Sequence, residues 1–347
     1  MSFNHYPLKN KIMKKYECFI GIDVSKSKLD VCILDETKKP SYCQVKNNKK
    51  DLLKFLKELI KKKKIAIETT IFCLEHTGVY AMPMCCALAE LQLNYTLVAA
   101  SHIQKSLGLQ RGKNDKADAK AIARFIYLHH QELTLYKLPE EKLMKIKILL
   151  SHRERLMKAR KMFQVASGEI AEFVDKKICK EVITESKMLV KKLNSKIDKT
   201  DKQVMALIDA DQQLKQTYQL ATSVPGVGPQ VAFNLISCTR CFTAFKTWRQ
   251  LSCYAGIAPF EYSSGSSIKG KTRVSHLANK KIKSLLSMAA LNAIQRDAEM
   301  KKYYERKTKE GKNPMLVLNA VRNKVVSRVF ATVTRGTPFV ETQKFFS

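Results

Sequence analysis

The stretch Cys18-Phe-Ile-Gly-Ile-Asp-Val-Ser-Lys-Ser-Lys-Leu-Asp-Val-Cys-Ile-Leu34 decides the fold of the first part of the chain. It holds two apolar runs, Cys18–Val24 and Leu29–Leu34, on either side of a polar turn at Ser25–Lys28. Two short apolar runs joined by a turn predict a β-hairpin. A carboxylate, Asp23, therefore falls at the end of the first predicted strand.

Beyond this hairpin, strand and helix patterns alternate. Ser41–Lys46 and Tyr95–Ala100 are predicted to be strands, and Ile71–Leu74 is a short buried strand that ends at Glu75. The predicted helices follow Asn48 and span Tyr80–Leu91 and Ala117–Leu128. Strands that pair first as a hairpin and then alternate with helices indicate a mixed-sheet α/β domain.

Four carboxylates stand where such a domain could hold metal. Asp23 and Glu75 lie at strand ends, and Asp115 and Asp118 are three residues apart at a helix start, on one helix face. Converging carboxylates resist joint ionisation unless cations neutralise them. Mg²⁺ prefers oxygen ligands, and two ions can clamp the attacking and leaving oxygens of a phosphodiester. We therefore expect two Mg²⁺ ions. Each acid also has a structural alternative: Asp23 as a turn acid, Asp115 as a helix cap and Asp118 as a first-turn carboxylate. Glu68 is the alternative candidate in place of Glu75.

The middle of the chain, from about 139 to 215, contains one Gly and one Pro and is rich in Lys and Glu. Apolar residues recur in it every seven positions, at Ile183, Val190, Ile197 and Val204, with Leu193 and Leu207 at the complementary positions. β-Branched residues at a and Leu at d favour a two-stranded coiled coil. The repeat predicts a dimer through residues 181–210; the alternative is a helix packed on its own domain.

The last third contains the turn Ser223–Pro229, a Ser/Gly loop at 262–270 and an apolar helix at Pro314–Val333. Cys238 and Cys241 form a C-x-x-C pair. A zinc site needs a second pair of ligands. We expect free core thiols, and zinc is the alternative.

The charge of the chain is unusual. Lys and Arg number 63 against 31 Asp and Glu, which gives a net charge of +32 at pH 7 and a pI of about 9.8. Such an excess repels itself unless a polyanion neutralises it, and nucleic acid gains by counterion release. The alternative explanation is a generally Lys-rich proteome. Nucleic acid is the predicted partner.

Composition also bears on location. No apolar run of 18 residues or more predicts a membrane span, and the basic N-terminal residues precede no signal-peptide pattern. Ten cysteines without a disulfide-framework spacing fit a reducing cytosol. We expect a cytoplasmic protein of bacterial type, associated with the nucleoid and not with a membrane.

Several motifs resemble those of the DEDD transposases of insertion sequences, which are related to Piv-type DNA invertases and are understood as bridge-RNA-guided recombinases. The resemblance covers about residues 17 to 340 in family order, and the motifs are highly specific together. The matching motifs are Ile20–Asp30, Glu75–Tyr80, Lys113–Ala119, Val224–Gly228, Tyr254–Pro259 and Tyr262–Gly270.

The resemblance implies an RNase-H-like (RuvC-like) α/β domain, a helical coiled-coil middle and a mostly α C-terminal transposase domain. The corresponding division of the chain is a basic tail at 1–16, the RuvC-like domain at 17–135, the helical coiled-coil middle at 136–215 and the C-terminal transposase domain at 216–347. Implied partners are donor and target DNA, a structured guide RNA, and further copies of the chain as a dimer and a tetramer on DNA.

The resemblance also implies a nucleophilic serine, which by motif position is Ser264. Without the family, Ser264 belongs to a loop of flexible composition. Its neighbours could hold phosphates, and Mg²⁺ from the four acids could activate it if the two domains meet. The predicted phosphate contacts are Lys269, Lys271 and Arg273, and the backbone at Gly226 and Gly228, whose turn resembles that of helix-hairpin-helix DNA binders. Relatives usually show a basic residue and a glycine where His276 and Ala278 stand.

Three other functions remain open from the sequence. An RNase-H-like nuclease or Holliday-junction resolvase would use the four acids and no serine. A non-catalytic nucleic-acid scaffold would carry the acids for structural reasons. An actin-like sugar or acetate kinase also begins with a motif like Gly21–Ser25, but the 12 glycines include no clear second phosphate loop.

Overall fold

The protein is described from a computed structural model. The described residues are 16–35, 39–62, 66–108, 114–264 and 268–341. The chain forms two compact units, Met1–Leu138 and Pro139–Ser347. The helical middle therefore groups with the C-terminal part. The division into separate domains at 17–135, 136–215 and 216–347 stays a prediction. Over the described ranges, no helix is both long enough and apolar enough to cross a membrane.

The first unit is built on a five-stranded mixed sheet. Its strands are β1 (Cys18–Val24), β2 (Lys28–Leu34), β3 (Pro40–Lys46), β4 (Thr70–Glu75) and β5 (Asn94–Val98). The spatial order is β3-β2-β1-β4-β5, with β1, β2 and β3 antiparallel in succession and β4 and β5 parallel to β1. The predicted hairpin is confirmed, and the topology is compatible with the predicted RNase-H-like domain.

Helices cover both faces of this sheet. They are α1 (Lys49–Lys62), α2 (Met82–Glu90), α3 (Ala100–Leu107) and α4 (Asp115–His129), with a 3₁₀ turn at Gly78–Ala81. Even-numbered residues of β1, such as Ile20 and Ile22, pack in one core with Leu52 of α1 and Met84 of α2. Phe19 packs on the opposite face with residues of α4. The period-2 alternation along buried β1 separates these two cores.

Several predicted boundaries in this unit were wrong by one or more residues. The helix predicted from Tyr80 begins as α2 only at Met82, with a proline in its first turn, where a missing N–H costs nothing. The strand predicted to reach Ala100 ends at Val98, because the chain turns there into α3. The helix predicted at Ala117–Leu128 is confirmed as α4, but it begins two residues earlier, at Asp115, where Asn114 caps it.

The second unit is largely helical. Its elements are α5 (Glu141–Phe173), α6 (Lys176–Asp209), α7 (Gln212–Thr222), α8 (Pro229–Thr239), α9 (Trp248–Tyr254), β6 (Pro259–Ser264), β7 (Ile268–Val274), α10 (Lys280–Arg296), α11 (Ala298–Lys309) and α12 (Pro314–Arg335). One large core joins apolar side chains of α7, α8, α9, α10 and α12. The predicted apolar helix near the C-terminus is confirmed as α12.

The long helices α5 and α6 pack on each other as an antiparallel hairpin. Arg153 Nε lies 2.7 Å from Asp201 Oδ1, and an Arg160 guanidinium N–H donates to Asn194 Oδ1 at 3.1 Å. Val204 of the seven-residue repeat is fully buried in a core shared with α5. The repeat is thus accounted for within one chain, and a coiled coil between chains is not confirmed.

The predicted loop at 262–270 is wrong in its described parts. Residues 259–264 and 268–274 are instead antiparallel strands, with Ser263 paired to Lys269 and Ser264 to Ile268. A bulge lies between Phe260 and Tyr262. Ser and Gly are common in loops, but backbone hydrogen bonds between the two strands override that weak preference. We name this element the serine hairpin, residues 259–274; residues 265–267 lie outside the described residues.

Candidate active site

Two parallel strands bring the first two acids together. Ile22 of β1 pairs with Leu74 of β4, so Asp23 and Glu75 are the next residues along neighbouring strands. Neighbouring strands lie about 4.8 Å apart, and residues in register share a face of the sheet. The parallel pairing of β1 and β4 therefore places both carboxylates side by side at the carboxyl ends of neighbouring strands.

A glycine brings the other two acids close to this edge. A Cβ on Gly21 would lie 2.1 Å from the backbone nitrogen of Ala123 and 2.5 Å from the Ala119 carbonyl, so α4 crosses β1 in direct backbone contact. Alternate residues of a strand face the same side, which points Asp23 toward α4 as well. Asp115 stands four residues before Ala119 and extends the same stripe of α4.

The start of α4 is itself well capped. The Asn114 side chain accepts a hydrogen bond from the Ala117 amide at 2.7 Å. Asp115 and Asp118 both lie in the first turn, where the helix dipole favours negative charge. Local sequence thus fixes the helix start and places both carboxylates on it.

The pKa of Asp23 reflects the negative charges of the other three acids. Burial, and then the charges of Glu75, Asp118 and Asp115, raise the pKa of Asp23 to about 6. Among the described residues, no three His, Cys, Asp or Glu side chains converge closely enough to ligate one ion. Four mutually repelling carboxylates are nevertheless the kind of oxygen donor set that divalent cations such as Mg²⁺ prefer.

A fifth acid beside this cluster was missed by the sequence analysis. Asp30 is the cross-strand partner of Asp23 and is 1% exposed. Its carboxylate accepts hydrogen bonds from Tyr42 and, at 2.8 Å, from Gln44 Nε2. Burial raises the pKa of Asp30, but bonds from Tyr42, Gln44 and Lys28 outweigh burial and leave it below its ordinary value. The predicted hairpin register would have placed Asp30 opposite Asp23.

Lys28 links β2 to the start of α4. Its Nζ lies 2.7 Å from Asp115 Oδ2 and 3.3 Å from Asp30 Oδ2. An ammonium group therefore lies between Asp115 and the fifth acid, Asp30. Its positive charge offsets part of the negative charge of the cluster. No sequence signal identified this pairing, because the two residues are 87 positions apart.

In the second unit, the structure gives the backbone of the predicted nucleophile. Ser264 is the last residue of β6, while its side chain and that of Lys269 lie outside the described part of the chain. Lys271 and Arg273 are exposed on β7. The structure thus puts two cations on the strand that pairs with the serine strand.

The two glycines of the α7–α8 turn differ. Gly226 has a φ of +89°, and a Cβ there would lie 2.4 Å from the Ala289 carbonyl, so this glycine packs against α10. Gly228 caps α8, with open space around its Cα. Backbone access to phosphate is therefore possible at Gly228, while the glycine at 226 is required for packing.

Burial favours the protonated form of both cysteines of the C-x-x-C pair. Burial raises the pKa of Cys238 to about 12 and is the main reason that the pKa of Cys241 rises to about 11. The thiolate is the form that binds zinc.

Two protein-family profiles match the chain in the order of its motifs. A profile of IS110 DEDD proteins, described as "Transposase", matches residues 20–165, and one described as "Transposase IS116/IS110/IS902 family" matches residues 218–305. The chain belongs to the IS110 family of DEDD transposases. The first match includes all four acids, and the second includes the serine hairpin. This membership makes the transposase a DNA recombination enzyme, and scaffold and kinase functions are not supported.

Individual relatives agree with the family. The "Pilin gene-inverting protein" of Moraxella bovis and that of Moraxella lacunata are each 25% identical over 329 residues, 92% of this transposase and 97% of the relative. An uncharacterised insertion element IS110 protein of Streptomyces coelicolor is 33% identical over 116 residues, 33% of this transposase and 28% of that protein. The similarity to the invertases thus spans both units.

Proposed function

We propose that this transposase cuts and rejoins DNA through a covalent bond to Ser264, with two Mg²⁺ ions held by Asp23, Glu75, Asp115 and Asp118. The observation that supports the metal site is the placement of Asp23 and Glu75 at the ends of neighbouring parallel strands, with α4 in backbone contact with β1 at Gly21. The charges of the other three acids, together with burial, raise the pKa of Asp23 to about 6. Four acids from two strands and a helix that repel one another are an arrangement that a divalent cation stabilises.

The four carboxylates would divide the work of holding the ions. Asp23 and Glu75 extend from a rigid sheet edge, and Asp115 and Asp118 extend from the capped first turn of α4. When bound, Mg²⁺ would supply positive charge to the scissile phosphate and to the attacking hydroxyl. Rigid elements favour catalysis because they fix ligand positions before substrate binds.

A serine nucleophile suits an enzyme that must rejoin DNA. The Ser264 oxygen attacks phosphorus, its proton passes to solvent, and the bond from phosphorus to the leaving sugar oxygen breaks as that oxygen gains a proton. The new phosphoserine ester conserves the bond energy that water attack would lose. A hydroxyl of the second strand then attacks phosphorus and gives its proton to solvent. The bond from phosphorus to the serine oxygen breaks, that oxygen regains a proton, and the phosphodiester is restored.

Nucleic acids are the proposed substrates and guide. The net charge of +32 and the exposed Lys271 and Arg273 suit phosphate contacts. The name of the Moraxella relatives refers to inversion of a gene, which is consistent with donor and target DNA. A structured guide RNA is proposed as a further partner, because the family resemblance implies one and the net charge of +32 suits binding to a second polyanion.

Assembly is proposed to use α6. The seven-residue repeat packs on α5, but a second apolar stripe with helical spacing is exposed in the first half of α6. It consists of Ile178, Val182 and Leu189, beside Met188. Exposed apolar stripes of this kind mark contact surfaces. We propose a dimer through this stripe, with two dimers forming a tetramer on DNA.

The test compares two neighbouring serines. Ser264→Ala should bind DNA like the unmodified transposase and lose strand exchange, with the cleavage rate reduced about 10⁴–10⁶-fold. Ser263→Ala, one residue away on the same strand, should remain active. Cleavage by Ser264→Ala at the unmodified rate would instead favour a junction resolvase that uses only the four acids.

A further inference from the structure

The peptide that leads into the serine hairpin is held by two side chains of α12. The Nδ2 groups of Asn319 and Asn323 both donate to the carbonyl oxygen of Ile257, at 2.8 Å and 3.0 Å. Ile257 is fully buried and lies two residues before β6 begins at Pro259. A carbonyl oxygen has two lone pairs, so these two amides complete its hydrogen bonding.

A buried arginine orients the first of these amides. An Arg322 guanidinium N–H donates to Asn319 Oδ1 at 3.3 Å. A guanidinium can only donate, so the Asn319 oxygen must face Arg322 and its nitrogen must face Ile257. Asn323 Nδ2 also donates to the Asn319 backbone carbonyl at 3.0 Å. The three side chains thus form one network that ends on the Ile257 carbonyl.

The burial of Arg322 is unfavourable for stability. It is 7% exposed, its Nε is buried without a hydrogen-bond partner, and the described residues give it no carboxylate partner. Burial lowers the pKa of Arg322. An unpaired buried cation destabilises a fold, and an apolar side chain of similar volume is often at least as stable in such a place. Stability therefore does not explain an arginine at this position.

The other side of the same peptide is also fixed. Gly256 has a φ of +66°, and a Cβ there would lie 2.3 Å from the Cβ of Ala278. The Ile257 amide donates to the Ser252 carbonyl at 3.0 Å, and the Asn279 amide donates to the Tyr254 carbonyl at 2.9 Å. The entry and exit of the serine hairpin are thus held together, and the direction of β6 is set at its base.

We propose that Asn319, Arg322 and Asn323 are positioning residues, which set the angle at which β6 leaves the core and thereby the place of Ser264. This inference rests on the proposed role of that serine. Seven residues of extended chain from Ile257 span about 20 Å. A tilt of about 5° at the base therefore moves the tip by about 2 Å. A displacement of about 1 Å can cost roughly 100-fold in rate.

The test uses Arg322→Met in the full-length transposase. We expect an unchanged or higher melting temperature, unchanged DNA affinity, faster hydrogen exchange in residues 257–263, and formation of the covalent adduct slowed at least 10-fold. Arg322→Lys, which still donates to Asn319, should recover part of the rate. Asn319→Asp, which turns an oxygen toward Ile257, should slow the adduct without lowering DNA affinity.

Asn234 supplies the matched control. It is a buried asparagine of the same unit whose Nδ2 donates within its own helix, to the Gln230 carbonyl at 2.8 Å. Asn234→Asp should leave adduct formation by the folded protein unchanged. The melting temperature of Arg322→Met could instead fall, with a loss in the rate of adduct formation no larger than the unfolded fraction of the protein explains. That result would show that Arg322 has only a structural role. Unchanged hydrogen exchange in 257–263 would overturn the proposal even if Ser264 proves not to be the nucleophile.

Discussion

Replacing Asp23 with Asn should stabilise the metal-free transposase and remove its response to Mg²⁺. Burial and the three neighbouring carboxylates raise the pKa of Asp23 from 3.8 to about 6. At about 1.4 kcal/mol per tenfold change in the protonation constant, that rise corresponds to at most about 3 kcal/mol against the ionised form. Because Asp23 is only half-buried, solvent screening reduces this to about 1–2 kcal/mol.

The sign of the pH dependence follows from the raised pKa. Protonated Asp23 contributes stability that is complete below pH 3.8 and is lost as the pH rises through about 6. The neutral amide of Asn has no such loss. Its advantage over Asp should therefore be full above about pH 7 and should shrink as the pH falls from about 6 toward 4.

The assay is thermal unfolding in EDTA at pH 7.5 and pH 4.5, followed by titration with Mg²⁺. Asp23→Asn should melt about 2–6 °C higher than the unmodified transposase at pH 7.5, with a smaller difference at pH 4.5. Mg²⁺ should raise the melting temperature of the unmodified transposase only. Glu68→Gln, an exposed acid outside the cluster, should change neither result. A variant that is less stable in EDTA at pH 7.5 would refute the repulsion between the acids.

Three further predictions concern the cation, the assembly and the RNA. The Lys28→Met variant should bind Mn²⁺ several-fold more tightly in a calorimetric titration, because the Lys28 ammonium no longer competes with the ion for the Asp115 carboxylate. Weaker binding would show that Lys28 instead orients Asp115 for the ion. Val182→Glu together with Leu189→Glu should dissociate the assembly in light scattering, and Lys187→Glu is the control on the same helix. A monomeric transposase without any substitution, both alone and with nucleic acid, would exclude the dimer. Affinity for the element's own non-coding RNA should fall steeply between about 50 and 200 mM salt, and equal, weak binding to unrelated RNA would count against a guide.

Sequence alone was sufficient to predict the elements that carry the four acids of the proposed metal site. The hairpin, the buried strand before Glu75 and the capped start of α4 each depend on local patterns, so the four acids could be placed on their elements. The contact between Lys28 and Asp115 could not be predicted, because it depends on how closely α4 approaches β1 over Gly21. Long-range side-chain pairing follows from packing, which no local pattern specifies.

The other differences between the sequence predictions and the structure also arise from long-range packing and pairing. A seven-residue repeat identifies an apolar stripe but does not say whether its partner helix lies in the same chain, and here that partner is α5. The composition around Ser264 resembles a loop, while cross-strand bonds make most of it a hairpin. Asn319 and Asn323 are 62 and 66 residues from the carbonyl that they bind, and neither belongs to any motif.

The central claim is a covalent bond between Ser264 and DNA. The most direct measurement is to trap the transposase on end-labelled DNA in Mg²⁺, digest both components, and map the modified residue by mass spectrometry. We expect one nucleotide-bearing peptide with the phosphate on Ser264, and we expect it to be absent from the Ser264→Ala variant. An adduct on Ser263 or any other residue, or efficient cleavage without any adduct, would contradict the account.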